Sequence, residues 1–138
     1  MTDQHSDVFV QALETIIGAG EGDPKSLFTD DVTGWSPVLN VSSLAELTET
    51  LAERDEALSN VSVQIRTLSS AENRVVAEWR LDADHTGPLV LDDEVTVAPT
   101  GRHIHVGGAT FADFRGDKIR SFRTYFDETA LTEQLVDA

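Results

Sequence analysis

Residues 102–126 read RHIHVGGATFADFRGDKIRSFRTYF. Apolar and polar residues alternate through this stretch twice, once before and once after Arg115-Gly116-Asp117. Alternation with a period of two, broken by a glycine-bearing turn, predicts a β-hairpin, because successive side chains of a strand point to opposite faces. In the first strand Ile104, Val106, Thr110, Ala112 and Phe114 share one face, and His103, His105, Phe111 and Asp113 share the other. In the second, Phe122, Thr124 and Phe126 oppose Ser121, Arg123 and Tyr125. The apolar sets face a core provided that no bulge flips the register, and Gly107–Gly108 is where a bulge is expected.

The same period extends upstream. Val61, Val63, Ile65 and Thr67 alternate with polar residues, and Val75, Ala77, Trp79 and Leu81 alternate with Val76, Glu78, Arg80 and Asp82. A turn at His85-Thr86-Gly87-Pro88 follows, then a strand near Glu94–Ala98. The N-terminal part has helical spacing instead: Val8, Phe9, Ala12, Leu13, Ile16 and Ile17 form one stripe, which Thr2 or Asp3 caps. That helix ends at GAGEGDP, residues 18–24, and a short helical turn over Pro24–Phe28 leads to a brief strand, VTGWSP, ending at Pro37. Ser43 and Glu46 stand at capping-box spacing before a helix whose stripe is Leu44, Leu47, Leu51 and Leu58. Asp127 caps a last short helix that buries Leu131 and Leu135. Helices first and hairpin-joined strands afterwards predict one α+β domain over residues 1–138 with an antiparallel sheet.

Composition narrows the partners. Asp and Glu number 25 against 10 Lys and Arg, a formal net charge of -15. Phosphate backbones and anionic lipid draw on basic surface, so neither nucleic acid nor a membrane is expected. The acidic start, MTDQHSDVFV, lacks a secretory pattern, and the chain has no cysteine, which points to the cytoplasm. With only two lysines, Lys25 and Lys118, the surface suits a salt-rich, halophilic interior that screens its carboxylates.

Motifs for chemistry are few. His103-x-His105 puts two imidazoles on one side of a strand, but a metal needs a third ligand, such as Asp113 or His85, which no spacing fixes; surface or interface histidines are expected and no metal. GAGEG follows a helix where a phosphate cradle follows a strand, and reads as a hinge. Leu91-Asp92-Asp93-Glu94 lacks the ligand spacing of a calcium loop and reads as a solvated acidic turn. An inward Trp79 beside Phe122, Thr124 and Phe126 would wall an apolar pocket with sparse polar handles, the usual make-up of a small-molecule site.

The sequence HTGPL followed by APTGRHIHVGGATFADFRGDKIRSFRTYFDETALTEQL resembles the SnoaL-like polyketide cyclase family of the nuclear-transport-factor-2-like superfamily, over about residues 74–138. The resemblance implies a cone-shaped, curved antiparallel sheet packed on N-terminal helices (a cystatin-like α+β barrel), a pocket at its wide end, and often a homodimer formed through the sheet. It also implies cofactor-free isomerase, cyclase or aldol-type chemistry run by an aspartate on the last strand and a histidine on the strand before it. Those two positions correspond to Thr124 and Thr110 here, so no catalytic residue is assigned. The expected ligand pocket comprises Trp35, Trp79, Thr110, Phe122, Thr124 and Phe126, holding a small hydrophobic molecule. The alternative is a non-catalytic module whose outer sheet face, with His103, His105, Arg123 and Tyr125, mediates dimerisation or partner binding.

Overall fold

The computed structural model describes residues 4–17, 23–37, 39–54, 57–90 and 96–136. The elements run α1 (Gln4–Ile17), α2 (Pro24–Leu27), β1 (Phe28–Ser36), β2 (Leu39–Val41), α3 (Leu44–Arg54), β3 (Leu58–Ala71), β4 (Arg74–His85), β5 (Leu89–Val90), β6 (Thr96–Val97), β7 (His103–Arg115), β8 (Lys118–Phe126) and α4 (Glu128–Val136). The expected cap of α1 at Thr2 or Asp3, the GAGEG hinge and the Asp92–Glu94 turn lie outside the described residues.

The helices begin where side chains can accept from free backbone N–H groups. Asp23 Oδ1 accepts from Lys25 N at 3.1 Å, Ser43 Oγ from Glu46 N at 3.1 Å, and Asp127 Oδ1 from Ala130 N at 3.1 Å. Glu46 does not close the box onto Ser43; its carboxylate accepts from the Ser42 hydroxyl instead, at 3.0 Å. Leu58, expected as the end of the α3 stripe, begins β3, because α3 ends at Arg54.

Six strands form one curved, unclosed sheet in the order β2-β1-β8-β7-β4-β3. It is antiparallel as expected except where β1 runs parallel to β8. β3, β4, β7 and β8 join as neighbouring antiparallel strands whose open edges are β3 and β8, and β1 takes the β8 edge. The expected bulge at Gly107–Gly108 is absent: Gly107 and Gly108 pair with Arg80 and Trp79 in unbroken register. The bulge falls on β8 instead. Ser121 pairs with Asp113 and Ile119 with Phe114, leaving Arg120 as the extra residue. This shift lets both Ile119 and Phe122 point inward, where they are buried.

The two glycines do something else. A Cβ on Gly108 would stand 2.5 Å from Cζ2 of Trp79, and one on Gly34 of β1 would enter the ring of Phe122. The two aromatic rings thus lie against strand backbone at positions that only glycine leaves empty.

Helix α1 covers the concave side, packing on β3, β4, β7 and β8 through Phe9, Ala12, Leu13 and Ile16. Helix α4 is fastened to β7 beyond the reach of β8. Gln134 Nε2 donates to the His105 carbonyl and its Oε1 accepts from His105 N, both at 2.9 Å, so one side-chain amide substitutes for a strand partner.

Adjacent glycines therefore differ in tolerance. Gly108→Ala overpacks the Trp79 ring and lowers stability by about 1–3 kcal/mol, whereas Gly107→Ala, whose nearest neighbour is 3.9 Å away, changes it by no more than about 0.5 kcal/mol. Urea denaturation of the two variants measures the difference.

Candidate functional site

A cavity of about 80 Å³ lies on the concave side between the C-terminal end of α1, the sheet and α4. Its floor is Trp79, Leu81, Ile104, Val106, Phe122 and Thr124, and Ile16 and Leu131 close it from the helices. Ile17, Leu58 and Phe126 are only half-buried and form the mouth. The space holds a few waters as it stands, so a larger ligand must displace the mouth residues. Four of the residues expected here, Trp79, Phe122, Thr124 and Phe126, line the cavity.

Thr110 is one layer below. It is 1% exposed and faces Thr124 directly across the β7–β8 pair. The Trp79 indole Nε1–H donates to Thr110 Oγ1 at 3.0 Å, and Thr110 Oγ1 lies 2.9 Å from Thr124 Oγ1. Gly108 makes this chain possible, since the indole must cross that position to reach Thr110.

Trp35 is a correction. It is 40% exposed on the opposite side of the sheet. Along β1, Val32, Gly34 and Ser36 point inward, so Trp35 points outward by alternation. Its ring packs on Tyr125 with centroids 5.4 Å apart, and Tyr125 meets Phe111 edge-on at 6.1 Å. Ser36 takes the inward place and lines the cavity, a residue that the sequence reading passed over.

The acids and histidines lie elsewhere. Asp113 faces outward and pairs with Arg74 at 2.8 Å and the Ser121 hydroxyl at 3.2 Å; the Arg74 hydrogen bond holds its carboxyl below the usual range. His103 sets Nδ1 2.9 Å from Asp84 and Nε2 3.5 Å from Asp82, and the Asp84 bond pushes its pKa up. Both ring nitrogens therefore face carboxylates, which favour the protonated ring over a lone-pair donor to a metal. Among the described residues no cluster of three or more His, Asp or Glu forms a metal site.

His85 is the missed residue. The alternation that buries Val75 through Ala83 continues to it, and it is fully buried. Thr100 N donates to its Nδ1 at 3.2 Å, which places the proton of the neutral ring on Nε2. Nε2 has only the Gly87 and Val97 carbonyls nearby and no well-formed hydrogen bond; burial, outweighing those carbonyls, pushes the pKa down. His85 ties residues 100–102 to β4: its N donates to the Arg102 carbonyl and its carbonyl accepts from Gly101 N, both at 2.8 Å.

A sequence model of the SnoaL-like polyketide cyclase family matches residues 21–135. No curated protein matches the chain. Among solved structures, a protein from Jannaschia sp. classed with the SnoaL-like polyketide cyclases superposes with a TM-score of 0.83 at 16% identity, covering 98% of this chain and 93% of that one. TsrD from Streptomyces laurentii gives 0.78 at 15% identity over 100% of both chains. A protein of ketosteroid isomerase-like fold from Catenulispora acidiphila, in complex with trimethylamine, gives 0.71 at 19% identity, covering 94% of this chain and 92% of that one. At such identities these likenesses establish the fold.

The two histidines titrate in opposite senses. His85 has a folded pKa below its unfolded value of about 6.5, so its contribution to stability is complete above that pH and is lost as pH falls toward the folded pKa. His103 has a raised folded pKa, so its contribution is complete below about 6.5 and is lost as pH rises through the folded value. NMR titration of the imidazoles checks the order: His103 has the higher midpoint, and a His85 midpoint at or above the ordinary value would contradict the burial account.

Proposed function

Since the chain belongs to the SnoaL-like polyketide cyclase family, whose fold is that of small-molecule cyclases and isomerases, we propose that it binds a small hydrophobic molecule in the cavity beneath α1. One observation carries this reading. Every described residue lining the cavity is apolar or aromatic except Thr124 and Ser36. Apolar walls with one or two fixed hydroxyls bind by burial and orient by hydrogen bonding. None of these lining residues is an acid or a base, and a threonine hydroxyl does not remove a proton from carbon near neutral pH. The chain's part in a ring closure or isomerisation is therefore to enclose the molecule and hold it in a reactive geometry. Thr124 and Thr110 stand where the family resemblance leads one to expect the acid and its partner.

A second reading is favoured by the outer face and is compatible with the first. Trp35, Phe111 and Tyr125 are 40%, 38% and 45% exposed and touch one another. Arg123 sits in register with both Trp35 and Phe111. Aromatic area gathered on one exposed sheet face marks an interaction surface, and we propose that it joins two copies of the chain.

A Trp35→Phe variant leaves Trp79 as the sole tryptophan reporter. Titrated with methylenecyclopentane or with cyclopentanone, it is expected to show a saturable change in emission, abolished when Leu131→Phe fills the cavity. No saturation by either probe would sink the pocket reading. For the outer face, Tyr125→Arg is expected to shift sedimentation from dimer to monomer without altering probe binding; a monomeric parent protein would dismiss that reading.

A further inference from the structure

We infer that the cavity presents the Thr124 hydroxyl as a fixed hydrogen-bond donor, and so selects ligands carrying a neutral oxygen acceptor, above all the carbonyl of a ketone or ester. The inference rests on the cavity being the ligand site and adds to that reading the polarity of the ligand. It follows from counting protons along the buried chain. An indole N–H only donates, so Thr110 Oγ1 accepts from Trp79. Thr110 is 1% exposed and must then place its own hydroxyl proton. Among the described residues its one remaining partner is Thr124 Oγ1, at 2.9 Å, so Thr110 donates to Thr124. Thr124 has no other hydrogen-bond partner among the described residues, and it lines the cavity. Its own proton therefore points into the cavity.

The reverse orientation, Thr124 donating to Thr110, leaves the Thr110 proton buried with no acceptor, at the full desolvation cost of that group. The favoured direction also aligns three donors head to tail. Trp79 polarises Thr110, which polarises Thr124, so the terminal O–H is a stronger donor than an isolated hydroxyl.

The chemistry of the walls narrows the ligand. No cationic side chain is among the described lining residues, and a carboxylate brought in would exchange its hydration for one hydrogen bond. An alcohol accepts from Thr124 but brings a proton of its own that the apolar walls cannot accept. A carbonyl oxygen accepts and has nothing to donate, so the Thr124 proton satisfies it.

The test is a cycle of two probes of one shape, cyclopentanone (C=O) and methylenecyclopentane (C=CH2), against the wild-type protein, Thr124→Val and Thr124→Ser. Thr124→Val is expected to weaken cyclopentanone about ten-fold while leaving methylenecyclopentane within about two-fold, and Thr124→Ser to restore the ketone. Equal losses for both probes, or no loss for the ketone, would overturn the inference while leaving the pocket intact. Failure of both probes to bind the wild-type protein would overturn the pocket reading and this inference with it. An infrared measurement on the wild-type protein needs no variant. The bound cyclopentanone carbonyl stretch is expected at lower frequency than in an alkane solvent, and an unshifted band would refute donation.

Discussion

The floor of the cavity depends on one close approach: the indole of Trp79 lying across the bare backbone of Gly108. The strands around it are ordinary, but this contact decides what lies between them. It flattens the largest side chain of the floor against the sheet, so the space above stays open instead of filling with core. It also aims the indole N–H at Thr110, a residue too deeply buried to leave its hydroxyl unpaired. Thr110 then fixes Thr124, and Thr124 is the polar point that the cavity offers. Gly34 does the same for Phe122 on the neighbouring side.

Much of this was legible in the sequence because strand parity is a strong signal. The faces assigned to β4, β7 and β8 by alternation are the faces that the structure buries, down to Thr110 and Thr124 pointing inward. Local capping chemistry was also legible, at Ser43 and Asp127, since a cap is a contact over three residues. What failed was non-local. The parallel pairing of β1 with β8 joins residues nearly a hundred apart, and no local pattern encodes it. Trp35 was misplaced for a related reason. In VTGWSP the inward residues are Val32, Gly34 and Ser36, and a glycine and a serine look less like core than a tryptophan does. The two glycines at 107–108 resembled a bulge because the ring that one of them accommodates comes from another strand. His85 reads in the sequence as the start of a turn and as a possible metal ligand, although the alternation of β4 runs straight to it.

The two sides of the sheet are chemically separate. The concave side carries apolar walls and the hydrogen-bonded chain from Trp79 through Thr110 to Thr124. The convex side carries the ion pairs, His103 between Asp82 and Asp84, and the exposed aromatics. On the proposed reading the cavity is kept while the ion pairs and exposed titratable groups lie on the other face and His85 lies buried outside the described lining, so enclosure and orientation are the means of acting on a substrate.

The central claim is that ligand binding occurs in a cavity whose described lining bears no ionisable group. The pH dependence of cyclopentanone affinity tests it most directly. Between about pH 6.5 and 9 a carboxylate or imidazole in the cavity, with a pKa tuned for proton transfer, would impose a sigmoidal step. His103, whose pKa is raised by its Asp84 hydrogen bond, lies exposed on the outer face, away from the cavity. The account predicts an affinity that is flat across the window. A step that survives His103→Gln would contradict it and place a titrating group at the ligand.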